Sequence, residues 1–394
     1  MKYRLLILPS LIALLTIGCG DSGPSIAPSP GADAGAPVAD AFVPEPDSAP
    51  VGLPSLGQYS HNVESLELSA VGGDQDGLNG PRDLAFHPDR GGELWVVNKN
   101  DESMVIFGDA VGDAGESKNI KRMTATGHHF LAVPSGIAFG EIGYKGERNL
   151  ATIHEQDQKT QGPDGTPADF MGPTMFTSHL GIFDGGHAGH IDMLHNSPSG
   201  MGIAWEKDNV YWVFDGAHSS LTRYDFATDH GPGGTDHGDG SLRRYVEGEV
   251  QRVEGVPSHL EFDAASNLLY IADTGNNRVA VLRTDSGTDG TQISPNYDGV
   301  PQVRVNGAEI NTLVDGAAIG LVKPSGLAIA DGILYVTDNE TSTIHAFDLE
   351  GKQLDWLKLD KPAGSLMGIV VGPDGALYVA DFLGNEILRI QPKG

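Results

Sequence analysis

Short runs of alternating apolar and polar residues recur from about residue 62 to the end of the chain. The clearest copy reads VPSHLEF from Val256 and then NLLYIADTGNNRVAV from Asn267. Strict alternation indicates a half-buried strand, and Gly275 with Asn276 and Asn277 suits a tight turn because these residues tolerate positive φ. Each copy therefore predicts antiparallel strands joined by turns.

Five further copies follow the same plan. They start at Pro81, Pro134, Pro198, Pro324 and Ser365. The segments LLYIADTGNNR, ILYVTD and ALYVADFLGNE resemble the NHL repeat family, whose members fold as β-propellers with one repeat per blade. The resemblance covers about residues 62–394 and is weakest in the second copy, where His154-Glu155 replaces Ala-Asp. It implies an all-β, six-bladed propeller.

Strand counting predicts how the ring closes. The last copy supplies three strands, and one unassigned alternating run, Val63–Ser69, precedes the first copy. We expect this N-terminal strand to complete the last blade beside Glu386–Ile390, which leaves no long unpaired inner edge.

A seven-bladed ring is the alternative, with its additional blade in residues 160–195. The strand-like runs there are His179–Asp184 and His190–Leu194. We assign both runs to the outer strands of the second blade, so six blades account for every strand-like run.

The N-terminus has the pattern of an export signal. Lys2 and Arg4 precede an apolar stretch from Leu5 to Ile17, which is too short to span a bilayer, and Gly18-Cys19 follows. The end of this stretch resembles a bacterial lipobox, which implies lipidation of Cys19 and a membrane anchor. We expect a signal peptide at 1–19, a disordered Pro/Ala/Gly/Asp-rich tether at 20–56 and the propeller at 57–394.

Gly20 follows the cysteine, which favours an outer-membrane lipoprotein by resemblance to known sorting signals. Whether it faces the periplasm or the cell surface stays open. Cys19 is the only cysteine, so no internal disulfide can form. We expect a monomer.

The chain is strongly acidic. With 53 acidic and 25 basic residues its formal net charge is −28. Such a surface repels phosphate backbones and excludes nucleic acid as a partner, whereas it attracts divalent cations and cationic ligands. The alternative is that the charge only maintains solubility.

Histidines gather where the propeller model places the axial face. His154 and His218 fall near second-strand ends, His259 at an inner-strand entrance, and His129 and His195 in loops leading into inner strands. Imidazoles from different blades can hold zinc with an open coordination position. The candidate metal ligands are therefore His154, His259, His195 and His218.

A second candidate metal site is an Asp-His-rich insertion at residues 225–240. Its candidate ligands are Asp229, His230, Asp236, His237 and Asp239. Carboxylates with imidazoles suit calcium or a borderline divalent metal. The spacing does not match an EF-hand, and a flexible polar insertion is the alternative.

Two functions remain open. The first is a cell-envelope binding module whose axial face holds a small-molecule or protein ligand. The alternative is a metal-dependent lyase or hydrolase, because some members with this architecture resemble peptidyl-hydroxyglycine α-amidating lyase. In that reading Arg82 would be the charge partner and Glu155 the base. That family places His directly after Pro, whereas Ser258 stands between Pro257 and His259 here.

Overall fold

The computed structural model describes residues 52–111, 120–124, 130–157, 170–182 and 190–394. These residues form six β-sheets, and consecutive inner strands contact each other around a ring. The protein is therefore a six-bladed β-propeller, and the repeat-based prediction of an all-β, six-bladed fold is confirmed. The seven-bladed alternative is wrong.

Each blade has four strands that run from the axis outward. In chain order, β1 (Leu66–Gly72) comes first, followed in blade one by β2 (Pro81–Phe86), β3 (Leu94–Asn98), β4 (Ser103–Phe107) and β5 (Ile120–Thr124), and in blade two by β6 (Pro134–Ile142), β7 (Arg148–His154), β8 (Thr174–Thr177) and β9 (His190–Met193). Blade three contains β10 (Gly200–Lys207), β11 (Val210–Asp215), β12 (Ser220–Asp225) and β13 (Ser241–Tyr245), and the blade-four segment contains β14 (Leu260–Asp263), β15 (Leu268–Asp273), β16 (Arg278–Arg283), β17 (Thr288–Gln292), β18 (Gln302–Asn306) and β19 (Glu309–Asp315). Blade five contains β20 (Pro324–Ala330), β21 (Ile333–Asp338), β22 (Thr343–Asp348) and β23 (Gln353–Lys358), and blade six contains β24 (Leu366–Val371), β25 (Leu377–Asp381) and β26 (Glu386–Pro392).

Within the described ranges, helical structure is confined to single turns. The one α-helical turn among the described residues is α1 (Gly316–Ile319). The 3-10 turns are Pro54–Leu56, Val63–Ser65, Asp74–Asp76, Tyr144–Gly146, Leu180–Ile182 and Thr274–Asn276. None of the helices in the described ranges combines the length and apolar character needed to cross a bilayer.

The ring closes through β1, as predicted. This strand pairs antiparallel with β26 from Leu66 opposite Pro392 to Gly72 opposite Ile387, and so supplies the outermost strand of blade six. It begins at Leu66 rather than Val63. Val63–Ser65 instead forms a 3-10 turn, which the side chain of Asn62 caps by accepting a hydrogen bond from the backbone N–H of Glu64.

Blade two departs from the prediction in its third strand. That strand is β8, which pairs with residues Asn149–Thr152 of β7, so the expected strand at 179–184 is wrong. Leu180–Ile182 instead forms a 3-10 turn. The fourth strand, β9, lies where it was expected, at His190–Met193.

A hairpin from the blade-four segment joins the sheet of blade three. Strands β17 and β18 lie between β16 and β19 in the chain, yet β18 pairs in parallel with β13 of blade three. The sheet of blade three thereby gains two strands. This insertion brings residues 293–301 to the outer side of blade three.

Glycine in the inner strands allows neighbouring blades to approach closely. A Cβ on Gly202 would lie 2.1 Å from the carbonyl oxygen of Ser258, and one on Gly326 would lie 2.3 Å from that of Met367. Both distances are far below van der Waals contact, so only glycine fits at these positions.

The core fills the spaces between adjacent blades. Trp95, Phe139 and Phe176 belong to one cluster between blades one and two, and Trp212 and Leu269 belong to another between blades three and four. Each fully buried side chain of this size contributes about 1.5–3 kcal/mol to folding. The propeller is therefore stabilised by packing between blades, which fixes the axial positions described next.

Candidate functional site at the propeller axis

Each inner strand places one residue at the same level around the axis. We call these six residues the hub: Asp83, Gly136, Gly202, His259, Gly326 and Gly368. Each directly precedes a buried aliphatic residue of its inner strand. Four of the six are glycines, so the only side chains at this level come from blades one and four.

The two hub side chains contact each other across the space that the glycines leave. Nδ1 of His259 lies 3.5 Å from Oδ1 of Asp83, while Nε2 donates to the carbonyl of Ser135 at 3.0 Å. Oδ2 of Asp83 accepts the backbone N–H of Ile137 at 2.9 Å. Burial raises the pKa of Asp83, and the nearby His259 lowers it by a smaller amount. The hub therefore joins three inner strands through side chains.

A channel of about 420 Å³ runs along the axis from the hub. Its walls are mostly aliphatic, including Ile137, Ile203 and Leu327. Beyond the hub residues Asp83 and His259, Glu261 adds a polar side chain to the lining, where four other repeats have Ala85, Ala138, Ala204 and Ala328. Burial raises the pKa of Glu261 to about 8, and the neighbouring Asp83 raises it further by a smaller amount. The carboxyl of Glu261 is therefore mainly protonated near neutral pH.

A buried ion pair lies beside the hub. Nη2 of Arg82 donates to Oε2 of Glu155 at 2.5 Å and to the carbonyl of Gly255 at 2.9 Å. Oε1 of Glu155 accepts the backbone N–H of Gly255 at 2.7 Å and lies 3.4 Å from Nη1 of Arg252. Burial lowers the pKa of Arg82, and Glu155 opposes that effect. The two residues predicted to be catalytic are thus brought together, in a pair that links blades one, two and four.

The guanidinium of Arg82 retains unsatisfied donors. Its Nε and Nη1 are buried and have no hydrogen-bond partner among the described residues. Buried donors normally find an acceptor in the protein, in water or in a ligand. These two donors of Arg82 therefore favour a ligand that carries an oxygen acceptor.

An entry pocket of about 320 Å³ opens above this ion pair. Its lining comes from second-strand ends and inner-strand entrances: Lys99, Val133, Glu155, Gln156, Asp157, Ser199, Arg252 and Glu254. Burial lowers the pKa of Lys99, and the positive charge of Arg82 adds to this effect. Nζ of Lys99 lies 5.8 Å from the ring centre of Phe382. The pocket is polar and contains two cationic side chains.

His154 does not face the entry pocket. It is fully buried, Nδ1 donates to the carbonyl of Gly172 at 3.1 Å, and Nε2 lies 3.1 Å from the hydroxyl of Thr152. Burial lowers the pKa of His154 to about 4. The imidazole is therefore held neutral inside blade two, with both nitrogens in hydrogen bonds.

The other predicted axial histidines are held by carboxylates. Nδ1 of His195 lies 2.6 Å from Oδ1 of Asp298, and Nδ1 of His218 lies 2.9 Å from Oδ2 of Asp215. The described residues do not bring His154, His259, His195 and His218 together as one set of metal ligands. His129 and Cys19 lie outside the described residues.

The carboxylates of the Asp-His segment, residues 225–240, shape its turns. Asp229 accepts the backbone N–H of Gly231, Asp236 that of Gly238, and Asp239 that of Thr228, all within 3.1–3.2 Å. The segment connects β12 and β13, as predicted. Its side-chain oxygens thus bind backbone donors.

Sequence reasoning missed three residues of the axial site. Lys99 and Arg252 lie outside the strand kernels, so the repeat gives them no position. Glu261 could have been found, because it is the one charged residue at an alanine position of the repeat.

Comparison with known proteins supports the fold. No family model matches the sequence, and no curated protein matches it. Among solved structures, a Bacteroides thetaiotaomicron protein of unknown function has 12% identity and a TM-score of 0.50 over 83% of this chain and 76% of that chain. This likeness shows a shared propeller fold.

Two further structures are similar at lower TM-scores. An auxiliary nutrient binding protein from Bacteroides ovatus has 14% identity and a TM-score of 0.49, covering 86% of this chain and 78% of that chain. Virginiamycin B lyase from Staphylococcus aureus has 12% identity and a TM-score of 0.47, covering 83% of this chain and 100% of that chain.

Proposed function

We propose that the protein is a binding module that holds a small carboxylate-bearing polar solute in the entry pocket. The observation that carries the proposal is the placement of Lys99. Its ammonium group lines the pocket, and no carboxylate of the described residues lies within ion-pair distance of it.

The overall charge makes this placement informative. Acidic residues outnumber basic residues by 53 to 25. Most described cations outside the pocket are neutralised by carboxylates, as Arg148 is by Asp89 and Arg389 by Asp374. The other described lysines without an ion pair, such as Lys352, are exposed, whereas Lys99 is half-buried. Glu155 and Glu254 attract its ammonium group from beyond ion-pair distance, so a ligand carboxylate would supply its close partner.

Arg252 supports the same ligand chemistry. Its Nη1 is 3.4 Å from a carboxylate oxygen of Glu155, whose other oxygen is already bound by Arg82. The guanidinium therefore retains donors for a second acceptor. Asp157 and Glu254, also in the lining, suit a hydroxyl or ammonium group on the same ligand.

The size of the pocket sets the size of the ligand. A volume of about 320 Å³ lies at the lower end of the range for small-molecule sites. It suits a compound of the size of an amino acid, a dicarboxylic acid or a uronic acid. A folded protein partner would need a much larger complementary surface.

Isothermal titration calorimetry with glutamate, succinate and galacturonate tests the proposal. We expect at least one of these probes to bind the purified chain. Lys99→Ala and Arg252→Ala should each weaken that binding about tenfold or more, because each removes a charge-assisted hydrogen bond.

Lys352→Ala is the matched control, since it removes the same charge from an exposed turn. It should leave the affinity unchanged. Absence of binding by all three probes, or equal affinity in the Lys99 and Lys352 variants, contradicts the proposal.

The proposed location is the cell envelope, with a lipid anchor on Cys19. The support is the positive, apolar and Gly-Cys pattern of residues 2–19, followed by a stretch without large apolar clusters. Cells fed a labelled fatty acid should incorporate it into the wild-type chain and not into Cys19→Ser. Equal labelling of the two chains contradicts the anchor.

A further inference from the structure

Three histidines from two blades meet at the outer edge of the ring, on the opposite side of the sheets from the hub strands. His190 begins β9, the outermost strand of blade two. His230 and His237 belong to the Asp-His segment of blade three. We call these three residues the edge triad. The backbone N–H of His230 donates to the carbonyl of Ile191 at 3.0 Å, which attaches the segment to β9.

We infer that the edge triad binds one divalent cation of the zinc class. One ring nitrogen from each histidine lies within 4.8 Å of the corresponding atoms of the other two. Nitrogens bound to one tetrahedral zinc lie roughly 3.4 Å apart, given zinc–nitrogen distances of about 2.1 Å. Small side-chain rotations close this difference.

His230 is already in the tautomer that a metal requires. Its Nδ1 lies 2.7 Å from the carbonyl of Gly231, and because a carbonyl only accepts, Nδ1 carries the proton. The lone pair is therefore on Nε2. That atom is buried and has no hydrogen-bond partner within the described ranges. A ligand histidine characteristically uses its other nitrogen in this way.

The other two rings are held in place by their neighbours. His190 is buried and stacks on Phe130, with ring centres 3.9 Å apart. The ring centres of His230 and His237 are 5.2 Å apart, and that of His190 is 5.1 Å from His230. The triad is thus assembled before any cation binds.

Negative charge surrounds the triad. Asp192 lies two residues after His190 on β9, across a bulge in the pairing of β9 with β8. Its Oδ2 is buried without a hydrogen-bond partner in the described part of the chain. Asp229, Asp239 and Asp298 interact electrostatically with Asp192. A bound dication would offset this concentration of carboxylates.

The donor atoms determine the class of metal. Three imidazole nitrogens suit zinc, copper, cobalt or nickel, whereas calcium and magnesium take oxygen ligands. Asp229, Asp236 and Asp239 of the Asp-His segment bind backbone N–H groups, as described above. We therefore assign zinc-class chemistry to the site, with ligands from blade two as well as from the Asp-His segment.

Zinc titration of the tagless full-length chain tests this inference. The purified protein, stripped of metal and re-equilibrated with zinc, should hold about one equivalent by elemental analysis. His190→Ala, His230→Ala and His237→Ala should each weaken zinc binding about 100-fold or more, because two nitrogens hold the cation far less well than three. The test is independent of the entry pocket, since Lys99→Ala should retain full zinc affinity.

His61→Ala is the control for loss of a half-exposed imidazole on another blade, and it should bind zinc as the wild type does. His237→Gln keeps a polar side chain at a half-buried position, so it tests the triad even if the buried His190→Ala variant misfolds. Circular dichroism verifies that each variant is folded. A wild-type chain that binds no stoichiometric zinc, or a folded His237→Gln that binds it equally well, overturns the inference.

Discussion

The axis and the outer edge between blades two and three use histidine in opposite ways. At the axis, Nε2 of His259 donates to a backbone carbonyl, and both nitrogens of His154 are hydrogen-bonded inside blade two. At the edge, His230 keeps a buried Nε2 without a partner among the described residues, and its ring lies beside two other imidazoles. Axial histidines hold strands together, whereas the edge triad is arranged for a ligand.

The difference follows from how each region is built. Axial positions belong to the repeat, so a polar side chain there must fit the close approach of inner strands. The edge is formed where an insertion of blade three lies against the last strand of blade two. An insertion has no repeat to preserve, and it can assemble chemical groups that the scaffold does not contain.

The largest expected effect would come from breaking the axial ion pair. Arg82→Met leaves the carboxylate of Glu155 buried without its main partner, so we expect a loss of about 3–5 kcal/mol in the free energy of unfolding. Urea denaturation measures it. The double variant Arg82→Met/Glu155→Gln should recover at least half of that loss. Equal stability of the single and double variants would show that the pair is not the source.

Acid should weaken the fold through His154. Its pKa is about 4 in the folded chain and near 6.5 in an unfolded one, so the folded state binds fewer protons between these values. Stability is therefore full above about pH 6.5 and falls as the pH drops towards 4, by about 3 kcal/mol for this residue. In His154→Gln, urea midpoints at about pH 7 and about pH 4.5 should differ less than in the wild type. An identical acid dependence in both proteins would contradict the buried, neutral assignment.

A rise in pH towards 8 should weaken the fold through Glu261. The pKa of its carboxyl is about 8 when folded, well above its value in an unfolded chain, so the folded state binds more protons between the two values. Its contribution is complete at low pH and is lost as the pH rises through 8. Relative to Glu261→Gln, the wild type should lose about 2 kcal/mol between about pH 6 and about pH 8. Parallel stability curves for the two proteins would argue that channel water solvates the carboxylate.

The smallest effect is expected at Asp236. This exposed carboxylate accepts only the backbone N–H of Gly238 among the described residues. Asp236→Asn should change the free energy of unfolding by less than about 0.5 kcal/mol, and zinc affinity should change less than about twofold. A large loss of zinc affinity would show that Asp236 is itself a ligand and that the edge triad is not the complete set of ligands.

The repeats allowed the fold to be predicted in detail. Blade number, inner-strand starts and closure by an N-terminal strand all follow from alternation and turn residues. The closing strand was placed three residues early because Val63 was grouped with Leu66 and Leu68, although it is out of phase with their alternation. The capping side chain of Asn62 turns the backbone there. The third strand of blade two was missed because Thr174–Thr177 is buried throughout and its two apolar residues are adjacent, so it shows no alternation.

The candidate sites were predictable only in part. Alternation placed Arg82 and Glu155 at one end of the axis, and the structure pairs them. The Asp-His segment was recognised by composition, but His190 was not, because its distance from His237 depends on the path of an insertion. No repeat or period encodes that path. Sequence therefore locates scaffold positions better than contacts between insertions.

Closure by β1 has a consequence for biogenesis. The first strand of the ring to be synthesised finds its partner, β26, only after every blade has been made. Until then β1 has no partner strand, and its backbone donors and acceptors are available to other chains. A chaperone that binds β1 during synthesis would protect these backbone groups, and the final pairing of β1 with β26 would make completion of the ring a late, all-or-none event.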